Sequence, residues 1–271
     1  MTSVLPSRAE PVRRSPFVRV FTDSYVVCQR NLIAYIRIPE QLFFSSVQPI
    51  MFVLLFRYVF GGAIPTPGFS YVNYLMPGIF VQTVLFSVVS TSVGLAEDLQ
   101  KGLIERFRSL PMARSAVLFG RTVADTVRNV FVILLITGVG YAVGFRVTTS
   151  FGRYLIAFVL LLIFAFSISW AFAFIGLKAP NSETAQLMAF PILFPLTFAS
   201  TAFVPAATMP SWLRWFAEHQ PVSVLVNATR ALMVGGPNPQ TLHWVSLSLL
   251  WSAIFLLIFV PIAVAAYRRA E

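Results

Sequence analysis

The chain has 271 residues, 57% of them hydrophobic and 11% charged, with a mean hydropathy of +0.78. Soluble domains carry about 25% charged residues, so this composition excludes one. An excess of 20 Lys and Arg over 10 Asp and Glu would point to nucleic acid in a soluble protein; here it is read against the positive-inside rule.

Six apolar runs set the class: residues 42–60, 71–95, 122–145, 153–177, 185–206 and 243–266. Each is close to the roughly 20 residues a helix needs to cross a bilayer. Barrel strands are only about 10 residues long and alternate in polarity. The expected fold is an all-α integral membrane protein with six transmembrane helices. Fifteen Lys and Arg then fall on one side and five on the other. With an even number of spans, both termini are expected in the cytoplasm.

Residues 1–16 hold three prolines and three arginines without apolar periodicity, the pattern of a disordered cytoplasmic tail. Residues 17–271 form one transmembrane domain. Phe17, Phe21, Tyr25, Cys28, Leu32 and Ile36 make a stripe at helical spacing, with Arg19, Asp23, Arg30 and Arg37 off it. That is an interfacial helix over 17–37, apolar side in the acyl boundary and arginines toward phosphates. A soluble helix packed on another domain is the alternative. Pro39 ends it before the first span. Cys28 is the only cysteine, so no intrachain disulfide or thiolate metal cage can form. No cleavable signal peptide is visible, and the first span is expected to act as the insertion signal.

Between the second and third spans lies a block of charge, residues 97–128, with four of the ten acids and six of the twenty bases. Leu95, Leu99, Leu103, Phe107 and Leu110 form an apolar stripe. Glu97–Lys101 and Lys101–Glu105 are i,i+4 pairs of opposite charge that support a short exposed helix, and Pro111 closes it. A second helix begins near Met112. Arg114, Arg121 and Arg128 share one face of it, with Asp125 between the last two. Arg121, Asp125 and Arg128 are read as a gate or salt-bridge ladder at the membrane edge; snorkelling with a local ion pair fits equally. A lipid-binding helix would carry bases almost alone, and Glu97, Asp98 and Glu105 oppose an anionic surface. The mixed charge favours a protein partner.

Pro191 and Pro195 lie inside the fifth span and Pro77 inside the second. Proline there frees a carbonyl and kinks the axis; both a pathway and simple packing fit. After Pro205 and Pro210, the segment SWLRWFAEH groups Trp212, Trp215 and Phe216 beside Arg214. Gln220-Pro221 turns the chain, and VSVLVNATRALMV resumes a helical pattern up to Gly235-Gly236-Pro237. Two helices too short to span, one rich in Trp, suggest an extracellular re-entrant or interfacial hairpin, against an ordinary exposed loop.

The run DLQKGLIERFRSLPMARSAVLFGR resembles the loop between the second and third spans of ABC-2-type permeases, in the daunorubicin-resistance-type drug exporter branch. FVPAATMPSWLRWFAEHQPVSVLVNATRAL resembles the segment after the fifth span of the same branch. The likeness covers the chain after its N-terminal tail. One departure is Leu103, where a threonine often follows the glycine. The resemblance implies a cytoplasmic coupling helix within about 97–110 that seats in a separate ATPase subunit. Its ATPase-coupling residues would be Glu97, Asp98, Lys101, Gly102, Glu105, Arg106, Arg108 and Pro111. An interfacial elbow at 17–37 and re-entrant helices at about 210–234 are implied as well.

Absent motifs agree with that division of labour. No GxxxxGK[ST] loop exists to cradle ATP, so no cofactor is expected in this chain, and ATP and Mg belong on the partner. His219 and His243 have no ligand spacing, and no metal site or catalytic residue is expected. Asn227-Ala-Thr229 matches a glycosylation sequon by pattern only.

The expected function is the permease subunit of an ATP-driven exporter in the plasma (inner) membrane, not itself an enzyme. Its partners would be an ABC ATPase, a second or related permease copy, membrane lipids and a small amphipathic substrate, with no nucleic acid. Gln82, Thr83, Ser87, Ser90 and Thr91 on the second span, with Thr197 and Thr201 on the fifth, are candidate pathway-lining groups. Few buried charges and 15% aromatic residues suit a drug or lipid. Export of cell-surface polysaccharide or teichoic-acid precursors is the alternative within the class. A secondary transporter, which should show repeats and intramembrane acids, and a membrane enzyme are the alternatives outside it.

Overall fold

The computed structural model describes residues 16–37, 39–61, 64, 66, 70–102, 114–235 and 240–269. Among them are nine α-helices and no strand. They are α1 (Pro16–Arg37), α2 (Pro39–Leu55), α3 (Tyr71–Gln100), α4 (Arg114–Ala142), α5 (Phe151–Lys178), α6 (Ser182–Phe198), α7 (Ser211–His219), α8 (Pro221–Met233) and α9 (Thr241–Arg269). A π-helical turn, Phe56–Phe60, extends α2. The tail expected at residues 1–16 lies outside the described residues up to position 15, and α1 starts at Pro16.

Local chemistry sets the helix starts. Ser70 Oγ accepts from the Asn73 N–H, Ser150 Oγ from the Arg153 N–H and Asn181 Oδ1 from the Thr184 N–H. Each side chain satisfies an amide that the first helical turn leaves unpaired. Among the described residues, four helices are long and apolar enough to cross a membrane: α3, α4 (as Ala116–Ala142), α5 and α9. A shorter apolar helix covers Ser45–Phe60. The 17 residues of α6 extend about 26 Å at 1.5 Å per residue, a little less than the hydrocarbon thickness.

α3 is the hub. It packs against α2, α4, α5, α6 and α8, and Leu75, Met76, Ile79, Phe80 and Leu85 from it are fully buried. Ile133 and Ile136 of α4, Leu161 and Phe164 of α5 and Leu225 of α8 complete that core. A smaller cluster of Val27, Leu95, Val117, Leu118, Trp170 and Tyr267 closes the end where α1 lies. By contrast α9 turns Leu249, Leu250, Leu257 and Ile258 outward, the surface expected of a helix facing lipid. Close approach of α3 and α5 depends on Gly176, where a Cβ would overlap the Ser92 carbonyl oxygen. Small residues at such crossings let backbones pack tightly in membranes. Gly176→Ala should therefore cost about 1–3 kcal/mol, read as a lower melting temperature in detergent.

Two helix ends differ from the sequence reading. The helix read as beginning near Met112 and continuing into the third span covers Arg114–Ala142 and stops before residue 145. The fifth does not run to residue 206: α6 stops at Phe198, and residues 199–205 are non-helical. The terminal carbonyls left there find remote partners. Gln220 Nε2 donates to Ala199 O at 2.7 Å. The Tyr74 hydroxyl and the Arg230 guanidinium donate to Thr201 O at 3.0 and 2.8 Å, and the Tyr71 hydroxyl reaches Phe203 O at 3.4 Å. Gly78 makes room for this strap, since a Cβ there would overlap the Ala202 carbonyl. Irregular backbone buried from water persists only when protein groups satisfy it in this way.

α7 and α8 fall within the segment read as a helical hairpin, about 210–234. The C-terminal carbonyls of α8 are capped in turn by the α4–α5 connection. Thr148 Oγ1 donates to Val234 O and Thr149 Oγ1 to Leu232 O, both at 2.5 Å.

On α1, Ser24 and Val27 are buried, whereas Tyr25 of the stripe is 69% exposed and Cys28 and Leu32 are half-buried. Ser24, Val27 and Cys28 approach α4 where Gly120 has no Cβ. Both faces of a membrane helix can be apolar, so an apolar stripe there does not identify the protein contact.

Candidate functional site

Two polar loci lie along α3. The first is ionic and sits at its C-terminal end. Asp98, in the last turn, is nearly buried, its side chain 11% exposed. Its Oδ2 receives Arg121 Nη1 of α4 at 3.0 Å and Arg30 Nη2 of α1 at 3.3 Å. One carboxylate thus ties three helices. Arg121 also donates to Ser90 O at 3.2 Å, crossing α3 where Gly94 has no Cβ to obstruct its guanidinium.

One turn deeper, Asp125 accepts from Thr91 Oγ1 of α3 and from the Tyr35 hydroxyl of α1, each at 2.5 Å. Burial first, and then the neighbouring Asp125 carboxylate, push the Tyr35 phenol up, so it stays a neutral donor. Arg128 stands over the Tyr35 ring at 5.3 Å and donates to Ser87 O at 3.0 Å. The expected ladder of Arg121, Asp125 and Arg128 is thus arranged differently. Asp125 is held by two hydroxyls, and the arginines reach across to Asp98 and to α3 carbonyls. α1 supplies Arg30, expected to point toward phosphates, and Tyr35, which the sequence alone does not single out.

The coupling residues divide. Glu97 and Lys101 form an exposed i,i+4 pair at 3.1 Å. Gly102 adopts φ +63°, with its N–H on Leu99 O, the left-handed turn by which glycine commonly ends a helix. Glu105, Arg106, Arg108 and Pro111 lie outside the described residues.

The second locus is a half-open cavity of about 320 Å³ bounded by α2, α3, α4 and α6. Gln82, Thr83, Ser87 and Ser90 line it, as do Arg128 and Asn129 of α4. Ser45 and Gln48 of α2 and Gln186 of α6 add polar wall. Phe86, Val93, Val132 and Phe190 supply the apolar part. The hydroxyls of Thr83, Ser87 and Ser90 fold back on α3 carbonyls at 2.6–2.7 Å. The Gln82 amide oxygen and nitrogen, the Asn129 amide oxygen and Arg128 Nε are buried with no protein partner. Of the other pathway candidates, Thr91 belongs to the Asp125 cluster and Thr197 is fully buried away from the cavity. Thr201 faces a separate cavity, of about 560 Å³, at the α7–α8 end beside Arg230. Asn129 was missed although it neighbours Arg128; only its place on the cavity face singles it out.

A helical bundle with four helices long and apolar enough to cross a membrane, and with many Leu, Ile, Val and Phe side chains exposed, is a multi-pass membrane protein. Comparison with known proteins narrows that class. Residues 22–234 match the ABC-2 type transporter family, and the chain belongs to it. The "Daunorubicin resistance ABC transporter permease protein DrrB1" of Streptomyces coeruleorubidus is 32% identical over 270 residues, 99% of this chain and 93% of that protein. The "Probable doxorubicin resistance ABC transporter permease protein DrrC" of Mycobacterium tuberculosis is 27% identical over 229 residues, 84% of this chain and 81% of the relative. A "Putative transport permease ycf38" of Cyanophora paradoxa is 25% identical over 214 residues.

Proposed function

We propose that the chain is the membrane-spanning permease subunit of an ATP-driven exporter for amphipathic or lipophilic molecules, drugs or lipids. The observation that carries this reading is its near full-length similarity to permeases named for drug resistance. The polysaccharide-precursor alternative gains no support from these relatives. In this reading six spans are formed by α2 with its π-helical turn, α3, α4, α5, α6 and α9. α1 lies in the cytoplasmic interface of the plasma membrane, α7 and α8 re-enter from the outer side, and both termini are cytoplasmic.

ATP and Mg²⁺ belong to a separate ABC ATPase. It would engage the connection after α3 through Glu97, Lys101, Gly102, Glu105, Arg106, Arg108 and Pro111. A second permease copy completes the pathway. Asp98 is the first buried charge behind that connection. Its bonds to Arg30 and Arg121 would carry a push on the end of α3 into α1 and α4 together. Thr91, Asp125 and Tyr35 make a second tie of the same kind. Motion arriving at the loop would therefore reach the wall of the 320 Å³ cavity, because Arg128 is bonded to Ser87 at its rim.

The test is reconstitution in vesicles with the ATPase partner, measuring efflux and ATP hydrolysis together. Glu105→Arg or Arg106→Glu should lower efflux about tenfold, within the usual range of inter-site coupling, without loss of membrane insertion. Efflux by this chain without any ATPase would sink the reading.

A further inference from the structure

The cavity between α2, α3, α4 and α6 carries information about what enters it. More than nine in ten buried polar groups in proteins have a partner. Here three side chains on one wall break that rule together: Gln82, 3% exposed, Asn129, 3% exposed, and Arg128, 8% exposed. Their unmatched atoms are an amide N–H₂ and a guanidinium N–H as donors, with two amide oxygens as acceptors. All three residues line the same space. Side chains that line a cavity and keep polar atoms without a protein partner gain most from a ligand that supplies one.

Charge sharpens the chemistry. Among the described residues on the cavity wall, Arg128 is the only ionisable one, and none is Asp or Glu. Asp125, three residues earlier, is already bonded to Tyr35 and Thr91. A cation in a low-dielectric wall attracts acceptors and anions and repels cations. Phe86, Val93, Val132 and Phe190 offer the apolar remainder, and pockets of this size and balance suit small organic molecules.

We infer that this cavity is a binding site for amphipathic molecules whose polar end is a hydrogen-bond acceptor, neutral or acidic, and that it disfavours a protonated amine. Arg128 and the Gln82 amide hold the acceptor, Asn129 takes any hydroxyl or N–H beside it, and the phenylalanines cover the apolar body. This deepens the exporter reading by naming the chemistry of its substrate.

Matched fluorescent probes test it: dansylglycine (acidic), dansylamide (neutral) and dansylethylenediamine (a protonated amine). The purified full chain in phosphatidylcholine nanodiscs is titrated with each, against empty nanodiscs. Saturable fluorescence gain is expected with dansylglycine and dansylamide, and binding of the amine about tenfold weaker than of the acid or worse. Arg128→Gln should erase the preference for dansylglycine over dansylamide. Gln82→Leu and Asn129→Leu should each weaken both probes about tenfold. The Gln82→Leu chain should melt no lower than the parent, since the change removes orphaned polar atoms. Equal affinity for amine and acid, variants that bind like the parent, or no gain over empty nanodiscs would overturn the inference. So would a lower melting point for Gln82→Leu, which would make that amide a packing element. Binding needs no ATPase. Binding without ATP-driven efflux therefore counts against the exporter reading alone, and efflux without binding here counts against this site alone.

Discussion

Asp98→Leu should sharply lower the melting temperature of the solubilised protein, and adding Arg121→Leu should recover most of the loss. Asp98 and Arg121 are 11% and 14% exposed, so the single change leaves a nearly buried guanidinium with no counter-charge. Breaking one half of such a pair costs about 3–5 kcal/mol, whereas replacing both halves by apolar groups is often neutral or favourable. Arg30, the second partner, is 37% exposed and can turn to water. The measurement is a double-mutant cycle on thermal unfolding. A double variant as unstable as Asp98→Leu would show that the carboxylate acts through something other than these arginines.

Arg230 should tolerate neither leucine nor lysine. It lies almost fully buried in α8 and is in none of the described ion pairs. Its positive charge is accommodated by acceptors instead. Nε and Nη2 donate to Tyr74 O at 3.3 and 3.2 Å, Nη2 to Thr201 O at 2.8 Å and Nη1 to Asn227 Oδ1 at 3.1 Å. The guanidinium also lies 3.8 Å from the Tyr74 ring centre, near enough for cation–π attraction. A cation beside the carbonyl end of α6 is favoured by the helix dipole. Leucine forfeits all of these contacts, about 3 kcal/mol or more at 1.5–3 kcal/mol per charged hydrogen bond. Lysine keeps the charge but lacks the planar fork that reaches three segments at once, so it should lose nearly as much. Melting temperature reads the total, and hydrogen exchange over residues 199–205 reads the place. An Arg230→Lys protein as stable as the parent would remove the fork from the account.

Much of this arrangement was legible in sequence, and the exceptions share a cause. The break at Pro39, a span starting at residue 71 and two short helices within about 210–234 follow from proline and apolar periodicity, which are local signals. The end of α6 was not legible. Residues 199–204 are apolar or small enough to continue a helix, and what supports their irregular path is Tyr71, Tyr74 and Arg230, far away in the chain. α1 differs: an apolar stripe placed in the acyl boundary says nothing of what the other faces of the helix bind. Its informative residues were the polar Arg30 and Tyr35, whose partners Asp98 and Asp125 are 68 and 90 positions away. At the cavity, Gln82, Thr83, Ser87 and Ser90 could be picked out as polar residues in an apolar helix. That Arg128 and Asn129 share their space depends on how α4 rotates against α3, which no single-helix pattern specifies.

The strap around residues 199–205 also has a consequence in time. Tyr74 and Arg230 are 156 residues apart, and α3 to α7 all leave the ribosome before Arg230 does. Long-range contacts of this kind close late, after the cost of ordering the intervening chain has been met. Until α8 arrives, the Thr201 carbonyl has only the Tyr74 hydroxyl, and the start of α3 has no guanidinium to lean on. The newborn protein therefore passes through a stage with α2 to α6 already made and one end unfinished. Arg230 is the fastener that ends that stage.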